Sequence, residues 1–168
     1  MYSNVTRTCL NRFLSLYLEA YNNCNNVLKD VSSYDSMKSG GWKFGRLGGS
    51  STPDNSSYIQ IVEEYCKGVD GGAWWGYAWY NGHGTVSASL QGTGSFNLTY
   101  GNCNEDDADV GFKVVVRLGD KEISSAGSKE RIKATGETKF THGDTLQIEE
   151  YNSVMVIHSI TFECEAGK

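Results

Sequence analysis

From residue 73 onward, apolar and polar positions alternate with a period of two. In AWWGYAWY, Trp75, Tyr77 and Trp79 fall on one strand face and Trp74, Ala78 and Tyr80 on the other. NGHG then predicts a turn. TVSASLQ directs Val86, Ala88 and Leu90 inward and Ser87, Ser89 and Gln91 outward. After a GTG turn, SFNLTYGNC directs Phe96, Leu98 and Tyr100 inward, leaving Asn97 and Thr99 outward. VGFKVVVRL sets Val110, Phe112, Val114, Val116 and Leu118 against Lys113, Val115 and Arg117, and a Gly-Asp turn opens the next hairpin. Phe140, an HGD turn, and then Leu146 and Ile148 continue the rhythm. The last segment, SVMVIHSITFEC, carries two apolar phases. A β-bulge at His158–Ser159 brings Met155, Ile157, Ile160 and Phe162 onto one face. Short strands at regular spacing predict a mostly β fold, an antiparallel β-sandwich of the jelly-roll kind.

The first third of the chain has a different pattern. Leu10, Phe13, Leu14, Tyr17 and Tyr21 form one apolar stripe at helical spacing, predicting a helix over 7–24. Thr6 or Thr8 is placed to cap it, and the Asn-rich YNNCNN is placed to stop it. Residues 32–57 read as a Gly/Ser-rich surface loop with a few anchored aromatics, Tyr34, Trp42 and Phe44. YIQIVEEYC, 58–66, alternates as a strand. The expected organisation is a helical segment over 1–31, packed on or extending from the domain, a loop over 32–57, and a sandwich over 58–168.

The run GTGSFNLTYGN, VGFKVVVRLGDKEI, KFTHGDTLQIEE and VMVIHSITFE resembles the galactose-binding-like jelly-roll domains, which include many carbohydrate-binding modules of secreted enzymes and adhesins. The elements that carry it are Val114–Lys121, Gly143–Ile148 and Ile157–Phe162. The resemblance implies the sandwich fold and carbohydrate recognition. It is confined to the C-terminal part and transfers no ligand site by position.

Composition narrows the partners. With 168 residues the chain makes one domain, large enough to fold around its own core. Twenty Asp and Glu against 15 Lys and Arg leave a net charge of −5 and no basic stripe, which argues against nucleic acid. No apolar run is long enough to span a membrane. The N-terminal residues are too polar for a signal peptide, so a secreted form would already have lost its leader. Five cysteines, none in a C-x-x-C pair, and sequons at Asn4, Asn55 and Asn97 point to an extracellular, disulfide-bonded glycoprotein. Cys103 and Cys164 each end a strand, so they read as one bridge, with Cys24–Cys66 a second. Cys9 is left over. A continuous helix would hold Cys9 and Cys24 about 22 Å apart, too far to bridge.

The stretch AWWGYAWYNGHGT packs three tryptophans and two tyrosines between glycines. Alternating aromatics in a sandwich usually fill the core, yet both parities of this strand are apolar. One face therefore reads as core and the other as a place where a ligand, a helix or a second subunit is covered. Sugar rings stack their C–H faces on Trp and Tyr while nearby polar groups take the hydroxyls. The candidate ligand-binding set is Trp74, Trp75, Tyr77, Trp79, Tyr80, Asn81 and His83. Asp106, Asp107 and Asp109 in NEDDADVG are hard oxygen ligands suited to calcium, but the spacing fails the EF-hand template, because Ala108 or Leu118 falls where a ligand is needed. A solvated acidic turn is the default reading of that loop, and no other cofactor is implied.

Catalysis has little support. His83, His142 and His158 sit in no metal-binding pattern, and Glu63–Glu64 and Glu149–Glu150 are adjacent, so each pair splits across two strand faces. The expected function is a secreted, non-enzymatic module recognising a glycan or glycoprotein. The alternative is a structural or adhesive subunit that self-associates through its N-terminal segment and aromatic strand.

Overall fold

The computed structural model describes residues 9–12, 14, 24–46, 75–78, 84–103, 112–151 and 153–165. Among the described residues, ten strands run in chain order: β1 (Lys43–Arg46), β2 (Trp75–Ala78), β3 (Gly84–Ser89), β4 (Gly94–Asn102), β5 (Lys113–Leu118), β6 (Lys121–Gly127), β7 (Lys133–Ala134), β8 (Thr138–Phe140), β9 (Thr145–Tyr151) and β10 (Val154–Cys164). They form two sheets. The first has the order β1-β3-β9-β5-β6; the second has β2-β10-β4-β7, with β8 also paired to β4. Every pairing is antiparallel. The molecule is the β-sandwich that the alternation and the resemblance imply.

Parity sorts inside from outside as the pattern requires. Val86, Ala88 and Leu90 are buried, as are Phe96, Leu98 and Tyr100, and Val114, Val116, Leu146 and Ile148. The register between β4 and β10 shifts between Ile157 and Ser159. That bulge keeps Met155, Ile157, Ile160 and Phe162 all in the core. The β5–β6 hairpin turn at Gly119 and the β8–β9 connection at Gly143 use positive φ, where a side chain would be strained.

The two poles of the sandwich differ. β2 ends at Ala78 beside Val154, β4 ends at Asn102 beside Met155, and β5 begins at Lys113 beside Tyr151. The roots of 79–83, 104–111 and the β9–β10 turn therefore share one pole, the loop pole. At the other pole Gly94 pairs with both Cys164 and Phe140. Phe96, Phe140 and Phe162 pack there with ring centroids 6.0–6.3 Å apart.

Residues 32–46 correct the sequence reading. Instead of a loop, the chain forms a short helix, Tyr34–Gly40, and then β1. Ser33 caps the helix by accepting from the Ser36 amide, and Gly41 at φ 103° ends it. Tyr34, Met37, Trp42 and Phe44 are core residues, and the Trp42 indole Nε1 donates to the Leu28 carbonyl at 3.2 Å. A helix of seven residues is too short to display a periodic stripe, and its closing glycines imitate a loop. Nearer the N-terminus, residues 9–12 and 14 are helical, but Leu10 and Leu14 are 63% and 53% exposed, so they do not face the core. Phe13, Tyr17 and Tyr21, and the strand expected over 58–66, lie outside the described residues.

Candidate functional site

The backbone of the aromatic segment joins the second sheet as β2, where Trp75 pairs with Ile157 and Tyr77 with Met155. Cross-strand partners occupy the same sheet face. Met155 and Ile157 belong to the core, so Trp75 and Tyr77 occupy core-face register positions. Gly76 and Ala78 take the opposite face, with Val156 and Val154. Trp74, Trp79, Tyr80, Asn81 and His83 lie outside the described residues, as do Asp106, Asp107 and Asp109. Among the described residues, no three His, Cys, Asp or Glu side chains converge as a metal site would require.

The cysteine pairing differs from the expected one. Cys24 bonds Cys164, with Cα atoms 6.1 Å apart. Cys103 is also disulfide-bonded, but not to Cys164, and Cys66 lies outside the described residues. The physical reason is direction. Cys103 follows β4 and Cys164 ends its antiparallel neighbour β10, and such ends lie at opposite poles. The Cys103 amide donates to Val154 at the start of β10, while Cys164 sits opposite Gly94. Cys9 is free and exposed. Of the sequons, Asn97 is exposed on β4; Asn4 and Asn55 lie outside the described residues.

Beneath the loop pole lies a polar network that the sequence reading did not pick out. Glu150 is fully buried. Its Oε1 accepts from the Gly84 amide at 2.9 Å, and its Oε2 accepts from the Ser153 amide at 2.9 Å. Asn102, also fully buried, donates through Nδ2 to Ser153 Oγ at 3.2 Å and to the Ala126 carbonyl at 3.5 Å. One carboxylate and one amide therefore link the starts of β3 and β10 to the ends of β4 and β6. The signal was present: Glu150 continues the inward parity of Leu146 and Ile148.

The adjacent Glu149 faces out of the first sheet, as strand alternation requires. It accepts from Arg117 Nε at 3.0 Å, Gln147 Nε2 at 2.7 Å and Tyr151 Oη at 2.6 Å. Burial alone would raise its pKa. The hydrogen bonds from Tyr151, Arg117 and Gln147 outweigh it and hold the carboxyl below its ordinary value. The Tyr151 hydroxyl is pushed up by burial and by Glu149. Two histidines have packing roles. His158 Nε2 donates to the Arg131 carbonyl at 3.0 Å, and His142 Nδ1 accepts from the Gly92 amide at 3.3 Å.

On the outer face of the second sheet, Val156 lies between Gly76 and Gly101 and is fully buried. A Cβ on Gly101 would sit 1.9 Å from the Arg131 carbonyl oxygen. The Glu130–Arg131 backbone therefore lies directly on this glycine, and the Asn102 amide donates to Glu130 at 2.8 Å. Among the described residues, no helix is long and apolar enough to cross a membrane.

No family model matches the sequence, and no curated protein matches it. Several solved structures are similar to the chain. One is the secreted serine protease VesC from Vibrio cholerae, with TM-score 0.46 and 9% identity, covering 60% of this chain and 23% of that one. Another is TmCBM61 in complex with beta-1,4-galactotriose, with TM-score 0.38 and 11% identity, covering 74% of this chain and 88% of that one. A third is CsCBM6-3 from Clostridium stercorarium in complex with cellobiose, with TM-score 0.32 and 12% identity, covering 56% and 76%.

Proposed function

We propose that the chain is a secreted, non-enzymatic recognition module that binds carbohydrate through the aromatic segment at its loop pole. The observation that carries this reading is the register of β2. Trp75 and Tyr77 pair with core residues while Gly76 and Ala78 take the opposite sheet face, which supports giving the other parity of the segment a ligand contact. In the sequence that parity holds Trp74 and Tyr80. Indole and phenol rings stack on the apolar faces of sugars, and Asn81 and His83 follow closely enough in the chain to take hydroxyls. A wide glycan panel and affinity gels test it. Trp74→Ala and Tyr80→Ala should each weaken binding by about ten-fold or more without changing the melting temperature. A wild-type protein that retains nothing on the whole panel ends the reading.

A second reading is favoured by the N-terminal helical turn. Leu10 and Leu14 are exposed beside the free, exposed Cys9. Such a face suits assembly into an extracellular polymer. Light scattering with and without reductant decides it, since a strict monomer in both conditions removes the idea.

A further inference from the structure

We propose that Glu150 is a positioning residue, which with Asn102 and Ser153 fixes the roots of the segments leaving the loop pole. A carboxylate removed entirely from water is costly unless hydrogen bonds replace its hydration. Glu150 holds two backbone amides from separate segments, one on each oxygen: Gly84, where the chain returns from the aromatic segment, and Ser153, in the turn between β9 and β10. Ser153 in turn accepts from Asn102, the last residue of β4, where the chain enters the acidic loop. Three strand ends are thereby set relative to one another by bonds that have direction, whereas apolar packing tolerates sliding. All three residues are buried, at 0%, 0% and 3% exposure, so the network is removed from solvent and makes its bonds to the backbone and to itself. The link to ligand affinity rests on the carbohydrate-binding reading; the positioning role does not.

Glu150→Gln is the sharpest test, because it keeps the shape and one acceptor but turns an amino group towards the second amide. Four tryptophans serve as reporters: Trp74, Trp75 and Trp79 in the aromatic segment, and Trp42 elsewhere, with its indole on Leu28. The variant should shift the three segment indole signals in nitrogen–proton NMR and leave that of Trp42 in place. Hydrogen exchange at the Gly84 or Ser153 amide should quicken by about ten-fold or more, as expected when a bond to a charged group is lost. If the segment signals and both amides stay as in the wild type, the proposal is wrong. If all four indoles move together, Glu150 supports general stability only, and the proposal is again wrong. Should Glu150→Gln fail to fold, Ser153→Ala removes only the acceptor for Asn102 and must move the same segment signals. On the glycan panel, the variant should bind about ten-fold more weakly than the wild type. A blank wild type alongside shifted segment signals would refute carbohydrate binding while upholding the positioning role.

Discussion

The two poles of this sandwich are held by different kinds of force. At one, Cys24 is bonded to Cys164, Asn25 exchanges hydrogen bonds with both sides of the Gln91 peptide, and three phenylalanines interlock. At the other, buried Glu150, Asn102 and Ser153 clasp backbone amides and a carbonyl. Apolar burial supplies most of the energy of folding but no orientation, whereas hydrogen bonds supply modest net energy and strict geometry. The phenylalanine pole is built for stability. The loop pole is held by directional bonds at its strand ends, as the proposed recognition role would require.

Substitutions break this contrast in order of size. Phe140→Ala should be the most damaging, costing about 3–5 kcal/mol in denaturant unfolding, because a buried ring at the centre of an aromatic cluster leaves a cavity. Replacing Cys24 and Cys164 together by serine should cost about 2–4 kcal/mol, as releasing a long loop does, and should leave the segment indoles of the loop pole unmoved. A loop-pole response as large as that at the disulfide would erase the distinction. Glu149→Gln should cost on the order of 1–2 kcal/mol at neutral pH. The folded carboxyl titrates below its unfolded value, so its contribution is complete above the unfolded range and lost as pH falls through the folded one. The variant should therefore show a flatter acid limb in stability against pH; an unchanged limb would remove Glu149 from the account. Leu10→Ser with Leu14→Ser should change the monomer's stability by less than about 0.5 kcal/mol, since both are exposed. Only self-association, measured by light scattering, should respond.

Much of the sandwich was legible in the alternation. Phe96, Leu98 and Tyr100 point inward because period two leaves no other choice, and the bulge near His158 follows from two apolar phases that must share one core. The cysteine pairing was not legible. Parity tells which face a residue occupies, but not which pole its strand end reaches. Trp42 and Met37 were hidden because a short capped helix and a four-residue strand each hold too few positions to show a rhythm. Glu150 was hidden for the opposite reason. Its position follows the inward rhythm, but its charge suggests the surface, and the Gly84 and Ser153 amides help hold it inside. Of the aromatic segment, the backbone register is described: Trp75 pairs with Ile157 and Tyr77 with Met155.

The Cys24–Cys164 bond also has a mechanical consequence. With those Cα atoms 6.1 Å apart, the polypeptide arrives and departs through a single gate. A pull applied between residues 24 and 165 is borne by that covalent link in parallel with the strands it closes. The loop pole lies at the opposite end of the sandwich from that bond.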